Sequence, residues 1–234
     1  FGEHSKRLET GNVQAAILQG GFPGLLTLKT RDEKSLWFEN YRTTYIERDL
    51  RDLGQVADLG DFQKYYEMLA YQVGNILDFS SIARDIGVSV GTSRKYFHIL
   101  ETAFQYFLLR PYFANIGKRL IKSPKVYAAD TGLCCFFLRY RDAETLADSG
   151  KMGYLFENWV VSEFYKQRSI MAEKPSFYFW RTSNGAEVDL VIEYGNKLIP
   201  IEIKYAVSLT ATHTRGIQSF LSAPLKNKAR FGII

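Results

Sequence analysis

The stretch EVDLVIEYGNKLIPIEIK, residues 187–204, constrains the fold more than any other in this 234-residue chain. Gly195-Asn196 is a favoured two-residue hairpin loop, so Tyr194 is set opposite Lys197 and the register runs outward from that pair. Continued, the register opposes Leu190 to Ile201, Asp189 to Glu202 and Glu187 to Lys204. Directly opposed residues project to the same side of a sheet, because the side-chain period is two. Val188, Leu190 and Ile192 are therefore expected to share a core face with Ile199, Ile201 and Ile203. Asp189 and Glu202 fall together on the other face, with Cβ atoms roughly 4.5–5.5 Å apart, where like charges destabilise a sheet. A divalent cation or a proton would offset that repulsion. The plain alternative is a solvated face on which Glu187 and Lys204 form an ordinary cross-strand ion pair. Pro200 falls at a non-hydrogen-bonded pair, so the hairpin loses no ladder bond to it.

The rest of the chain divides into three blocks. Residues 1–60 read as helical, broken at Gly20-Gly21-Phe22-Pro23 and continuing into the charged amphipathic stretch LWFENYRTTYIERDLRDL. Residues 61–148 begin with DFQKYYEMLAYQVGNIL and then carry the outline of a helix-turn-helix in SSIARDIGVSVGTSRKYFHILETAF. Ser80 or Ser81 is expected to cap its first helix, Gly87 to end it and Ser89 to cap the second. Two strand-like runs, FLLRPYF and PKVYAADTG, flank ANIGKRLIKS, and helices followed by a basic hairpin suggest a winged helix. Residues 149–234 supply the amphipathic helix YLFENWVVSEFYKQ, the strand SFYFWRT, the hairpin, the helix TRGIQSFLSA and a last strand ARFGII. The fold class expected is α/β, α+β overall, with a mixed sheet in this last block. The chain starts at Phe1 without a methionine and stops on an apolar run, so it is expected to be a piece of something longer, truncated at its C-terminus.

A hydrophobic content of 46% and an aromatic content of 15% call for a packed globular protein. A net charge of +5 permits nucleic-acid binding without requiring it. The two cysteines, Cys134 and Cys135, are adjacent and form no disulfide framework, which points to a reducing cytoplasm. No signal peptide and no apolar run of membrane-spanning length is present, so no membrane partner is expected.

Four residues are candidates for chemistry. Glu157 has only uncharged neighbours three and four positions away on its helix, unlike Glu163 beside Lys166, and a carboxylate so placed needs a partner in the fold. With Asp189, Glu202 and Lys204 it forms a helix-Glu, strand-Asp, strand-Glu-x-Lys series. Hard cations such as Mg²⁺ or Mn²⁺ take such oxygen ligands, so Asp189, Glu202 and Glu157 are the expected metal ligands. Lys204 would orient or help deprotonate an attacking water, or stabilise charge on a phosphate. In the middle block Arg94 and Lys95 lie on the second helix of the motif, and Lys118, Arg119, Lys122 and Lys125 line the expected wing. Phosphate contacts in one groove and along the neighbouring backbone would use that arrangement; packing between domains is the alternative. His4, His98 and His213 are scattered and build no metal site, and no nucleotide-binding motif is present.

GAEVDL and IEIK together resemble the PD-(D/E)xK nuclease superfamily, although Val188 stands where the eponymous motif has proline. Taken whole, the chain resembles the C-terminal part of a large group of prokaryotic AAA-type ATPases, in which a P-loop module is followed by a domain of unknown function. The resemblance rests on LQGGFP, NYRTTYIERDL, YFHILETAF, SPKVYAADTGL, GYLFENWVVSEF, FYFWRT and EVDLVIEYGNKLIPIEIKYA. It implies a winged helix followed by a nuclease-like α/β domain, with residues before about 45 as the lid end of an ATPase module missing from this chain. ATP would then be bound only through that module, and DNA, the module itself and further copies of the chain are the implied partners. Two functions follow: a Mg²⁺-dependent nuclease-like module acting on phosphodiester bonds, or a catalytically inactive module coupling an ATPase to DNA or to a protein.

Overall fold

The computed structural model describes residues 10–49, 56, 58–115, 117, 120, 122–223 and 229–234. Helices α1 (Thr10–Gln19) and α2 (Arg31–Tyr41) come first, and α2 runs on into a π-helical stretch, Arg42–Asp49. They are followed by α3 (Leu59–Gln72), α4 (Phe79–Ile86) and α5 (Val90–Thr102), and by strands β1 (Tyr106–Pro111) and β2 (Lys125–Ala128). Then come α6 (Thr131–Phe137), α7 (Ala143–Asp148), α8 (Met152–Ser169), β3 (Ser176–Arg181), β4 (Glu187–Tyr194), β5 (Lys197–Ile201) and α9 (Arg215–Ser222). The class is mixed α/β, as expected from the sequence.

Helices α4 and α5 are joined by a tight turn in which Gly87 is left-handed (φ 80°) and Ser89 Oγ accepts the Thr92 N–H to cap α5. The cap of α4 differs from expectation. Asp78, not Ser80 or Ser81, sits in extended backbone at the N-cap, and its carboxylate accepts both serine N–H groups. A carboxylate one residue upstream reaches the orphan donors of the first turn, and the serines become helical residues.

One five-stranded sheet, in the order β2-β1-β3-β4-β5, organises the chain from residue 106 onward. β1 and β2 form an antiparallel pair with Tyr106 opposite Ala128, and β1 then runs parallel to β3, with Arg110 opposite Tyr178. The sheet thus crosses the boundary near residue 149. The hairpin register is the one its turn dictates, from Tyr194 opposite Lys197 to Leu190 opposite Ile201. Pro200 faces Val191, and its carbonyl accepts the Ile233 N–H as the C-terminal segment bridges the outer edge of β5.

Among the described residues three apolar clusters hold these layers. The largest packs α1 and α3–α6 around Tyr65, Tyr66, Leu69 and Leu100. The second lies between the sheet and α8, where Leu190, Ile201 and Ile203 meet Val161. The third lies on the opposite face, where Trp180, Val188, Val191 and Leu198 surround Phe220 of α9.

Val188 is therefore not on the face of Leu190 and Ile192, contrary to the alternation expected. The β3–β4 pairing shifts between Tyr178 opposite Val191 and Trp180 opposite Val188, leaving two β4 residues, Asp189 and Leu190, across from Phe179. This is a β-bulge, and it reverses the facing of everything before it on β4. Asp189 is turned from the expected outer face toward the α8 side, and there it is buried, with 5% of its surface exposed.

Candidate functional site

β4 and β5 separate where their ladder ends at Leu190–Ile201. Continued pairing would bring Ile203 N–H to β4 backbone; instead Asp189 Oδ2 accepts it at 2.8 Å. Into this split project Asp189, Glu202 and Lys204. The Lys204 Nζ lies 2.7 Å from Glu202 Oε1 and 3.7 Å from Asp189 Oδ2, so it bridges the two acids. Glu202 is 8% exposed, and its Oε2 is buried with no hydrogen-bond partner. Burial first, and the Asp189 charge second, push its carboxyl up to about 7, against the pull of Lys204. Lys204 itself is raised: burial lowers it, but the Glu202 bond and the surrounding carboxylates outweigh that.

Glu157 lies in an adjoining network. From α8 its Oε1 accepts the Tyr127 hydroxyl at 2.6 Å and pairs with Lys125 Nζ at 3.0 Å. Burial raises its carboxyl most, the Lys125 charge opposes, and the Asp189 charge raises it further, so the networks share one electrostatic environment. Lys125 is 4% exposed and also pairs with Glu187 at 2.5 Å, while Glu187 meets Arg181 at 3.5 Å. Burial alone would depress the lysine, but Glu157, Glu187 and Asp189 together raise it.

Two expectations are corrected here. Glu187 does not face Lys204: the bulge turns it toward β2, and Lys204 is taken by Glu202 and Asp189. Lys125 is not on a solvated wing: it begins β2, and its side chain points inward with Tyr127, two residues on. Lys125 and Tyr127 are the site residues the sequence reading missed. Their signal was a lysine entering a strand run two positions before a tyrosine, which puts both on one face. The next residue of α8, Asn158, is fully buried and pairs its amide with the N–H and C=O of Ala128. The FEN and PKVYAAD stretches are thus neighbours in space.

Arg94 is exposed on α5, its guanidinium 4.7 Å from the Phe79 ring centroid. Lys95 and Lys122 are exposed, and Lys118 and Arg119 lie outside the described residues. Arg110 donates to the Leu120 carbonyl at 3.2 Å.

Among the described residues no three His, Cys, Asp or Glu side chains converge closely enough to hold a metal ion between them. The donor chemistry at the split nonetheless suits a hard cation of the Mg²⁺ kind, which binds through one or two carboxylates and keeps water and substrate oxygens for the rest. Asp189 and Glu202 are such a pair, and the unpartnered Glu202 Oε2 is the atom such an ion would satisfy. Glu157, the third expected ligand, has its Oε1 engaged by Lys125 and Tyr127. No helix among the described residues is long and apolar enough to cross a membrane.

Residues 152–233, which carry this site, match the domain of unknown function DUF4143. Two curated proteins, the uncharacterized protein Rv2008c of Mycobacterium tuberculosis and the uncharacterized protein Mb2031c of Mycobacterium bovis, are each 35% identical over 187 residues. That alignment takes in 80% of this chain and 42% of each relative, so the chain spans less than half the length of the proteins it matches. No solved structure matches it. Residues 10–144, more than half of the chain, match the domain of unknown function DUF8612, and the chain belongs to that family.

Proposed function

We propose that the chain is a DNA-binding, Mg²⁺-dependent nuclease-like module of a larger prokaryotic ATPase, acting on phosphodiester bonds. The observation that carries this reading is the split of β4 from β5, which gathers Asp189, Glu202 and Lys204 and leaves Glu202 Oε2 buried without a partner. Asp189 and Glu202 would hold the cation, which when bound supplies Lewis-acid activation of the phosphodiester and of water. The Ile203 N–H fixes the Asp189 carboxylate, and Lys204 is placed to orient a water or to steady charge on a phosphate oxygen. Glu157 adds a half-buried carboxylate oriented by Lys125 and Tyr127.

The α4–α5 pair with the β1–β2 hairpin supports a winged-helix reading, in which the exposed Arg94, Lys95 and Lys122 would meet DNA phosphates. An ATPase partner belongs to the same proposal: a DUF4143 domain is often tied to AAA-type ATPases. Cytoplasmic residence accords with Cys134 and Cys135, both buried free thiols.

Titration calorimetry with Mn²⁺ should give a binding heat that Asp189→Asn abolishes, and Lys204→Ala should abolish Mg²⁺-dependent nicking of plasmid DNA. No nick or cut in plasmid, branched or single-stranded DNA with either metal would sink the nuclease reading. A second reading has its own support, because Lys204 pairs with Asp189 and Glu202, and Lys125 with Glu157 and Glu187. The cluster would then be an internally neutralised remnant in a module that couples an ATPase to DNA or a protein. It predicts no Mn²⁺ heat and DNA binding, if any, that weakens steeply with salt.

A further inference from the structure

A cleft of about 900 Å³ opens between α1, α2, α3 and the end of α6, and it shares no residue with the Asp189–Glu202–Lys204 site. Its lining carries six cations, Lys29, Arg31, Lys34, Arg42, Arg139 and Arg141. Against them stand three carboxylates, Asp32, Glu39 and Glu67. Arg31 is paired with Asp142, Lys34 with Gln19 and Arg42 with Glu39. Among the described residues Lys29, Arg139 and Arg141 have no side-chain hydrogen bond or ion pair, so a positive surplus remains unspent.

Arg139 makes this more than a solvated basic rim. Its backbone is left-handed, φ 61°. Its N–H donates to the Phe136 carbonyl, and the Tyr140 N–H donates to the Cys135 carbonyl. Those are the two bonds of a Schellman helix end, and the left-handed position between them ordinarily belongs to glycine. An L residue there is strained by its Cβ. The arginine side chain is exposed and, among the described residues, makes no hydrogen bond or ion pair. Strain kept at a cleft wall is a mark of use.

We propose that this cleft binds a phosphate-bearing anion of nucleotide size, with Arg139 and Arg141 holding phosphate oxygens and Lys29 reaching them from the facing wall. Guanidinium groups suit this ligand because their planar forks bond phosphate oxygens in pairs. The volume lies in the range of small-ligand clefts, and half-buried Phe136 and Tyr140 offer ring surface beside the cations. The same phosphate chemistry occurs on a free nucleotide and on a single nucleic-acid strand.

The test is calorimetric titration at low salt with inorganic triphosphate, ATP and a short single-stranded oligonucleotide, on wild type, Arg139→Gly, Arg141→Ala and Lys204→Ala. Triphosphate should bind the wild type, and Arg139→Gly should weaken it about tenfold or more. Because glycine relieves the backbone, the same variant should melt about 2–4 °C higher. Lys204→Ala should bind like wild type, which keeps this outcome separate from that of the nuclease reading. ATP binding more tightly than the oligonucleotide would assign the site to a free nucleotide; the reverse order, still weakened by Arg139→Gly, would assign it to a strand. No triphosphate or oligonucleotide binding, unchanged binding in Arg139→Gly, or a lower melting temperature in that variant would overturn the proposal.

Discussion

Glu202 and Lys125 show how one buried site treats charge in opposite ways. Glu202 is ionised against resistance: its folded value, about 7, stands above its ordinary 4.5. A carboxyl raised in this way contributes stability that is complete below the unfolded value and is lost as pH rises through the folded one. The window therefore runs from about pH 4.5 to about pH 7. Glu202→Gln, which mimics the protonated form, should leave stability unchanged at pH 4 and raise it by roughly 1–2 kcal/mol at pH 8, allowing for screening by solvent. Urea unfolding at the two pH values measures this, and a variant less stable than wild type at pH 8 would refute it. Mn²⁺ should reverse the order if Asp189 and Glu202 hold a cation, because binding favours the ionised acid. Lys125 is the converse case. Removing it by Lys125→Met strands Glu157 and Glu187 without their shared cation, and should destabilise the protein by about 3–5 kcal/mol, as breaking a buried pair does.

At the scale of elements the bulge in β4 decides what the hairpin can do. A regular strand would set Asp189 on the face opposite Leu190; the bulge brings both to the α8 side and frees the Asp189 carboxylate to take the Ile203 N–H. The turn and the register of the hairpin were legible in the sequence, because Gly195-Asn196 and the apolar alternation specify them locally. The bulge was not, because it arises where β4 meets β3, and no residue of the hairpin alone reports that pairing. The same limit hid Lys125, whose partners Glu157 and Glu187 belong to elements far along the chain. Helix α9 closes the other side of the site with comparable tightness. A Cβ on Gly216 would lie 1.9 Å from the Glu187 carbonyl oxygen and 3.0 Å from Glu202 Oε2. Gly216→Ala must therefore push α9 off the end of β4, with a cost of about 1–3 kcal/mol. Chemical denaturation checks the figure, and a neutral result would mean that α9 moves away without loss.

On the scale of the whole molecule, the three blocks visible in the sequence are joined by features that pattern reading could not supply. β1 continues into β3 as one sheet, and the Tyr112 N–H donates to the Phe179 carbonyl just past the parallel pairing. Lys125 ties β2 to α8 and β4 through ion pairs buried in the same layer. The first helix is anchored by Asp130, which caps α6 through the Leu133 N–H and accepts the Gly21 N–H at 2.7 Å. Contact there is so close that a Cβ on Gly20, itself at φ +71°, would stand 2.3 Å from Asp130 Oδ1. That explains why LQGGFP and SPKVYAADTGL occur together: each supplies half of one junction. Coupling of this kind predicts a single cooperative transition, with calorimetric and van't Hoff enthalpies equal. Asp130→Ala leaves the buried Leu133 N–H and the part-buried Gly21 N–H unpaired, roughly 2–3 kcal/mol, which should lower the melting temperature of that single transition by about 4–10 °C. Differential scanning calorimetry decides between this and independent blocks. If Asp130→Ala instead splits the trace, moving an early peak while a later one stays fixed, then α1 and α6 unfold apart from the sheet. The ion pairs of Lys125 would in that case bind neighbouring strands and helix without holding the molecule together.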